Sequence, residues 1–380
     1  MEAPNYRLID IYDLEQRLVG HLDALVLAGE AGLTIAQAEA AEGGQNAAAV
    51  FVHVALRQRR KELLNVMEFP EDDRRSFCCR LAEAAAWCAQ EDLAEVMSQW
   101  MGSSTPFQAV ALEICRIHRV DPRQHLDARI GDFDPDVQAC AIRLAGELGR
   151  LDCLAALREV GGDDADLAAV RLGDKKAPER LHDASGFPRD SEMARSFAET
   201  FPQALRRDEA IEAIRGLLAI PGTRRWGTIA IGALGWADGL PSLLNAMAEP
   251  LYARPAVSAF EQITGLYVAH EDLEMDEFPE DPEGPDLGSV EEFIDTNTPW
   301  PDLMKFETWI AGNQQRFTND ERLLLGVNAW TFGGVPEPWV KYQARYRWIA
   351  TTQALRQPDA PLPNHRSPVH IDGRHFTRRW

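Results

Sequence analysis

Between Pro255 and Met304 the chain contains no Lys or Arg, while 14 acids occupy those 50 residues. Cations are scarce elsewhere too: 39 Lys and Arg face 60 Asp and Glu, a net charge of -21. A chain this acidic repels phosphate backbones, so binding to nucleic acid is not expected. No run of 18 apolar residues exists, which argues against a membrane span. Met1 to Asp13 lacks the basic start and apolar stretch of a signal peptide, so the expected location is the cytoplasm.

Cysteine is also sparse. Cys78, Cys79, Cys88, Cys115, Cys140 and Cys153 form no CxxC pair and sit in Ala- and Leu-rich text. They read as small buried apolar side chains in a reducing compartment rather than as a metal or redox site. GxSxG, GxxxxGK[ST], HExxH and a helix-opening GxGxxG are all missing. The chain is therefore expected to be non-enzymatic, with no cofactor and no metal.

Alanine and proline divide what is present. Of 52 alanines, 46 lie at or before Ala269, and 11 of 23 prolines follow it. The first 269 residues read as closely packed helices. Near the N-terminus, Leu14, Leu18, Leu22 and Leu25 recur at helical spacing and predict one buried face. Gly29 and Gly32 interrupt that pattern. A second helix is predicted near Ala47 to Leu56, ending in Arg57, Arg59, Arg60 and Lys61. That cluster reads as a solvated helix end, with a small anion site as the alternative.

The middle of the chain repeats. Asp134 and Pro135 open a helix that buries Val137, Ala141, Leu144 and Leu148 and stops at Gly149. The same helix-end signal recurs at Gly173, Gly235 and Gly265. The gaps are 24, 62 and 30 residues, and a weaker copy from Glu192 to Ala219 fills the double one. A period of about 30 residues with two helices per unit predicts an all-α chain folded as an α-solenoid.

Asp13-Leu-Glu-Gln-Arg-Leu-Val-Gly-His-Leu-Asp-Ala-Leu-Val-Leu-Ala-Gly-Glu-Ala-Gly32 resembles the N-terminal signature of a bacterial family of HEAT-repeat proteins. Phe260-Glu-Gln-Ile-Thr-Gly265, Glu271-Asp-Leu-Glu274, Pro299-Trp-Pro-Asp302 and Leu355-Arg-Gln-Pro-Asp-Ala-Pro-Leu362 are further matches, in the expected order. Members of that family are often encoded beside type VI secretion components and toxin effectors. The resemblance implies a helical scaffold in that setting and brings no reaction. The expected organisation is an N-terminal helical cap at 1–75, a HEAT-like repeat solenoid at 76–269, an acidic Pro-rich loop at 270–298, and a C-terminal extension with a basic tail at 299–380. At its end the chain departs from the family pattern, with His365, His370, His375 and Trp380 running past the proline motif.

The candidate binding residues are Asp272, Glu274, Asp276 and Glu277 in the acidic loop, with Trp226 and Trp236 as aromatic anchors. The four acids have the oxygen chemistry of a Ca²⁺ or Mg²⁺ site but lack the order of an EF-hand, so a solvated acidic loop is the stronger reading. His270 beside Glu271 and Asp272 does not by itself make an acid–base pair. His365, His370 and His375, five residues apart, do not suit one helix face. For the two tryptophans packing between repeats is the stronger reading, and Trp300 reads as a plug that fixes the C-terminal part. The expected partner is a protein: a secretion effector, a toxin or a spike component. The role is that of an adaptor or chaperone, with an immunity protein as the first alternative and a metal-dependent regulator or enzyme as the second.

Overall fold

The structure, a computed structural model, describes residues 6–103, 106–181, 187, 191–277, 279, 288–317, 321–329 and 343–368. Most of the chain is α-helix, with little sheet. It divides into two compact units. One comprises Leu8–Val160 with the described part of Arg366–Trp380, and the other comprises Gly161–His365 with the described part of Met1–Arg7.

The first unit contains α1 (Leu8–Leu27), α2 (Glu30–Glu42), α3 (Gly44–Arg57), α4 (Arg74–Ala85), α5 (Gln90–Gly102), α6 (Phe107–His118), α7 (Gln124–Asp127), α8 (Pro135–Leu148) and α9 (Leu154–Val160). α3 packs on α2 and α4, α4 on α6, and α6 on α8, while α5 flanks α6. α6 and α8 are the most thoroughly buried helices of this row. α6 buries every residue from Gln108 to Ile117, and α8 buries Val137, Ala141, Leu144 and Leu148 as its spacing predicts. Asp134 caps α8 by accepting from the amides of Asp136 and Val137 at 3.0 and 3.2 Å.

The N-terminal helices depart from the expected pattern. α1 buries Leu8, Ile11, Glu15 and Leu22, whereas Leu14 and Leu18 are exposed. The buried face is thus rotated from the leucine stripe, and a carboxylate lies within it. α2 was not anticipated, because Gly29 and Gly32 looked like breakers. Gly29 does end the first segment, with φ of +59°. Gly32 lies inside α2, where a Cβ would run into the Leu25 carbonyl oxygen. Two cations of the Arg57–Lys61 cluster are met by carboxylates. Arg57 lies 3.4 Å from Asp23 and 3.6 Å from Asp92, and Arg60 pairs with Glu30 and Glu62.

The second unit contains α10 (Asp163–Arg171), α11 (Ala177–Leu181), α12 (Ser191–Ala204), α13 (Arg207–Ala219), α14 (Arg224–Leu234), α15 (Leu240–Met247), α16 (Pro250–Thr264), α17 (Gly288–Thr296), α18 (Leu303–Asn313) and α19 (Gln343–Arg356). Alternate helices pack in sequence: α10 on α12, α12 on α14 and α14 on α16. The intervening α11, α13 and α15 lie against their neighbours in that row. α17 and α19 add to α12, and α18 to α15.

Gly149, Gly173, Gly235 and Gly265 all follow helices and all have φ between 72° and 79°, so each of the four predicted stops is a left-handed residue. Two of them have a second role. A short antiparallel hairpin of β1 (Leu323–Leu324) and β2 (Val327–Asn328) lies against the ends of α14 and α16. Its turn, Leu325–Gly326, has positive φ at both positions, as a tight two-residue hairpin requires. Leu323 N donates to Gly235 O at 2.7 Å, and Leu325 N to Gln262 O at 2.7 Å. A Cβ at Gly235 would meet Leu323 O, and one at Gly265 would meet Leu325 O. Arg322 completes the cap, donating from Nε to Leu234 O at 3.0 Å and from Nη2 to Ala233 O at 2.8 Å.

Candidate interaction surface

The acidic segment begins where α16 ends. Asp272 takes φ of +52°, a conformation that Asp tolerates better than most residues. Leu273 then turns inward, and the backbone runs antiparallel to 300–302. Met275 N donates to Trp300 O and Asp302 N to Leu273 O, both at 2.9 Å. Trp300 is buried, with the Arg254 guanidinium 4.3 Å from its ring centroid. The described part of the loop is therefore anchored by the Pro299–Asp302 motif.

Lys305 sits in the middle of the acids. Asp302 caps α18 by accepting from Lys305 N, and Lys305 Nζ donates to Glu274 O at 3.0 Å. Asp272 and Asp276 stand 3.8 and 4.0 Å from that ammonium, with side chains 90% and 95% exposed. Their pairing with Lys305 in water is weak, and both carboxylates face outward. Glu271 and Glu277 are also exposed, while Glu274 is half-buried. Among the described residues these acids do not bring three ligand atoms within 4.8 Å of one another, and the Lys305 ammonium stands beside two of them, so they do not fit a cation cradle. Met275 and Met304 add exposed apolar surface on the same two segments.

The two tryptophans lie elsewhere. Trp226, on α14, is only 6% exposed and packs inside the unit, so it offers almost no ring to a partner. Trp236 is half-buried, stacked under the Arg207 guanidinium at 4.1 Å, and its backbone bridges to Arg322. His270 lies 4.6 Å from the Tyr267 ring, centroid to centroid. His365 approaches Pro363 O, whereas His370, His375 and Trp380 lie outside the described residues.

A buried ion network in the second unit had no signal in the sequence. Glu291 on α17 accepts from Arg195 of α12 and Arg225 of α14, each at 2.7 Å, and Arg225 also grips Asp295 with two contacts of 2.8 Å. Glu199 joins it to Arg347 of α19 at 2.9 Å. Burial by itself would push the Glu291 carboxyl up, but Arg195 and then Arg225 overcome that and hold it at about 2. On α16 of the same unit, Glu261 accepts from Val268 N at 2.8 Å. There burial dominates, and the carboxyl is pushed up to about 7 despite Arg345. These contacts join helices 66 to 148 residues apart in sequence, and their chemistry is that of a structural clamp.

In the first unit, Asp127, Asp152 and Cys153 bring potential ligand atoms within 4.8 Å of one another. Arg150 fills the centre, donating to Asp127 at 2.6 Å, Asp152 at 2.7 Å and Asp121 at 2.9 Å. Burial pushes the Cys153 thiol up to about 12, so it is not a thiolate at neutral pH. Burial likewise raises Cys78, Cys88 and Cys115 to about 12. These are inert packing groups. No single helix among the described residues is long and apolar enough to cross a membrane.

Compared with known proteins, the chain matches no protein-family model, no curated protein and no solved structure.

Proposed function

We propose that this protein is a non-enzymatic protein-binding scaffold of HEAT-like helical hairpins, and that it acts as an adaptor or chaperone for a type VI secretion effector. The observation that carries the reading is the acidic edge at Glu271–Glu277. The side chains of Glu271, Asp272, Asp276 and Glu277 are exposed to solvent while its backbone is fixed by Trp300 and Asp302. A rigid anionic edge attracts a basic protein surface and speeds its docking without reorganising. The row α10, α12, α14 and α16, with the short helices between, supports the repeat reading, since each helix of the row packs on the next. The resemblance noted above supplies the secretion setting.

The same edge suits an immunity protein that covers a basic toxin domain, so the acid surface favours that as the second reading. The position of Lys305 weighs against the metal-dependent one. The test is an affinity pull-down of the tagged chain from its native cells at low and high salt, identified by mass spectrometry. A stoichiometric effector, toxin or spike protein is expected, reduced by salt and by Asp272→Lys with Asp276→Lys. A partner that survives both changes removes the edge from the interface, and an empty capture overturns the scaffold reading. Rescue of intoxicated cells by this protein alone identifies the immunity role; rescue that needs a separate inhibitor identifies the adaptor.

A further inference from the structure

The first unit contains a cleft of about 930 Å³ between the α2–α3 turn and the segment 61–73. Its floor is apolar: Phe51, Leu63, Met67, Phe69 and Phe77. Phe51 and Phe77 are buried, and Phe69 is half-buried. Phe69 meets the edges of Phe77 and Phe107 at 5.4 and 5.0 Å, and Phe107 stacks on Trp100 at 5.0 Å. The floor is thus supported from beneath by a fixed aromatic cluster. One wall is the Gly43–Gly44 turn, which presents bare backbone.

The rim has a different chemistry. Glu42, Glu68 and Asp73 border the cleft, all exposed, and no Lys or Arg lines it. Two nearby cations are turned to other acids, Arg60 to Glu30 and Glu62, and Arg74 to Asp134 and Asp136. Among the described residues, the three rim carboxylates form no ion pair. The volume lies within the range of built ligand sites.

We propose that this cleft binds a cationic amphipathic peptide segment of a partner protein, seating an aliphatic or aromatic side chain on the phenylalanine floor and Lys or Arg against the rim. Each half of the site constrains the occupant. An apolar ligand without charge leaves three exposed rim carboxylates without a counter-charge. A bare polycation leaves the apolar floor in water, where each Å² costs about 25 cal/mol. Only a segment that alternates the two chemistries uses both. The inference goes beyond the scaffold reading: it concerns other residues and stands whether or not the 271–277 edge is an interface.

The test uses the full chain and a fluorescent peptide of alternating Lys and Leu, with binding followed by anisotropy at physiological salt. An oligolysine of equal charge is the comparison. The Lys/Leu peptide is expected to bind about tenfold or more tightly than oligolysine. Glu42→Gln with Glu68→Gln and Asp73→Asn, all at exposed positions, should weaken it about tenfold, and Met67→Gln should do the same through the floor. Asp272→Asn with Asp276→Asn should leave it unchanged. Absence of binding overturns the proposal. So does equal affinity for oligolysine, an unaffected rim variant, or an equal loss in the Asp272 and Asp276 variant, since each outcome makes the attraction a property of the acidic surface as a whole.

Discussion

Glu291 accepts a hydrogen bond from Arg225 at 2.7 Å across 66 residues of sequence, and it does so almost wholly out of water. The pair fixes α17 on α14 by charge. Removing the carboxylate leaves Arg195 and Arg225 buried with their principal counter-ion gone. Glu291→Gln should cost about 3–5 kcal/mol, measured by urea unfolding at neutral pH.

Acid should reach the same contact. The Glu291 carboxyl sits at about 2 in the folded chain against an ordinary 4.5, so the unfolded state binds the proton first as pH falls. The stability it supplies is complete above 4.5 and is lost as pH drops through that value toward 2, on the order of 3 kcal/mol in all. Glu291→Gln should flatten this limb of a stability-against-pH curve.

Glu261 has the opposite sign. Its carboxyl is raised to about 7, so the folded state holds the proton more tightly than the unfolded one. Its contribution is present below 4.5 and declines as pH rises to 7, by roughly 1–3 kcal/mol. Glu261→Gln should remove that decline and leave the variant more stable than the parent at pH 8, read from paired thermal melts.

The glycines that meet the hairpin should tolerate no side chain. Gly235→Ala and Gly265→Ala each combine a left-handed φ with a carbonyl in the way, and each should cost about 2 kcal/mol or more. Gly216, inside α13 with open space around it, is the control: Gly216→Ala should gain about 0.5–1 kcal/mol. Urea midpoints of the three variants decide this.

Thiol chemistry should follow burial. Cys79 is half-buried and the other five cysteines are buried. A thiol reagent should modify Cys79 first in the native chain and reach the rest only in denaturant, as mass spectrometry of the labelled peptides would show.

What could be read from the sequence was mostly local. The stops at Gly149, Gly173, Gly235 and Gly265 were visible because a helix end is written within a few residues. The cap of α8 was equally plain. The buried face of α1 was misread because periodicity counts leucines, while packing placed Glu15 inward and Leu14 outward. α2 was missed because Gly32, taken as a breaker, serves close packing against Leu25. The acidic edge was located by composition, but its anchoring by Trp300 and Lys305 was not. Trp226 showed the limit of residue type as a guide, since an aromatic ring reads alike in a core and at an interface. The Glu291 clamp and the phenylalanine cleft were invisible for one reason: their members are brought together only by tertiary packing.

The cap built by Arg322 and the hairpin also bears on biosynthesis. Arg322 follows Leu234 by 88 residues. As the chain leaves the ribosome from its N-terminus, α14 and α16 emerge well before the segment that satisfies their last carbonyls. Their helical ends stay frayed until residues 322–326 arrive, so the second unit closes late in translation, and a nascent chain arrested before Arg322 remains the most vulnerable to proteases at these two ends.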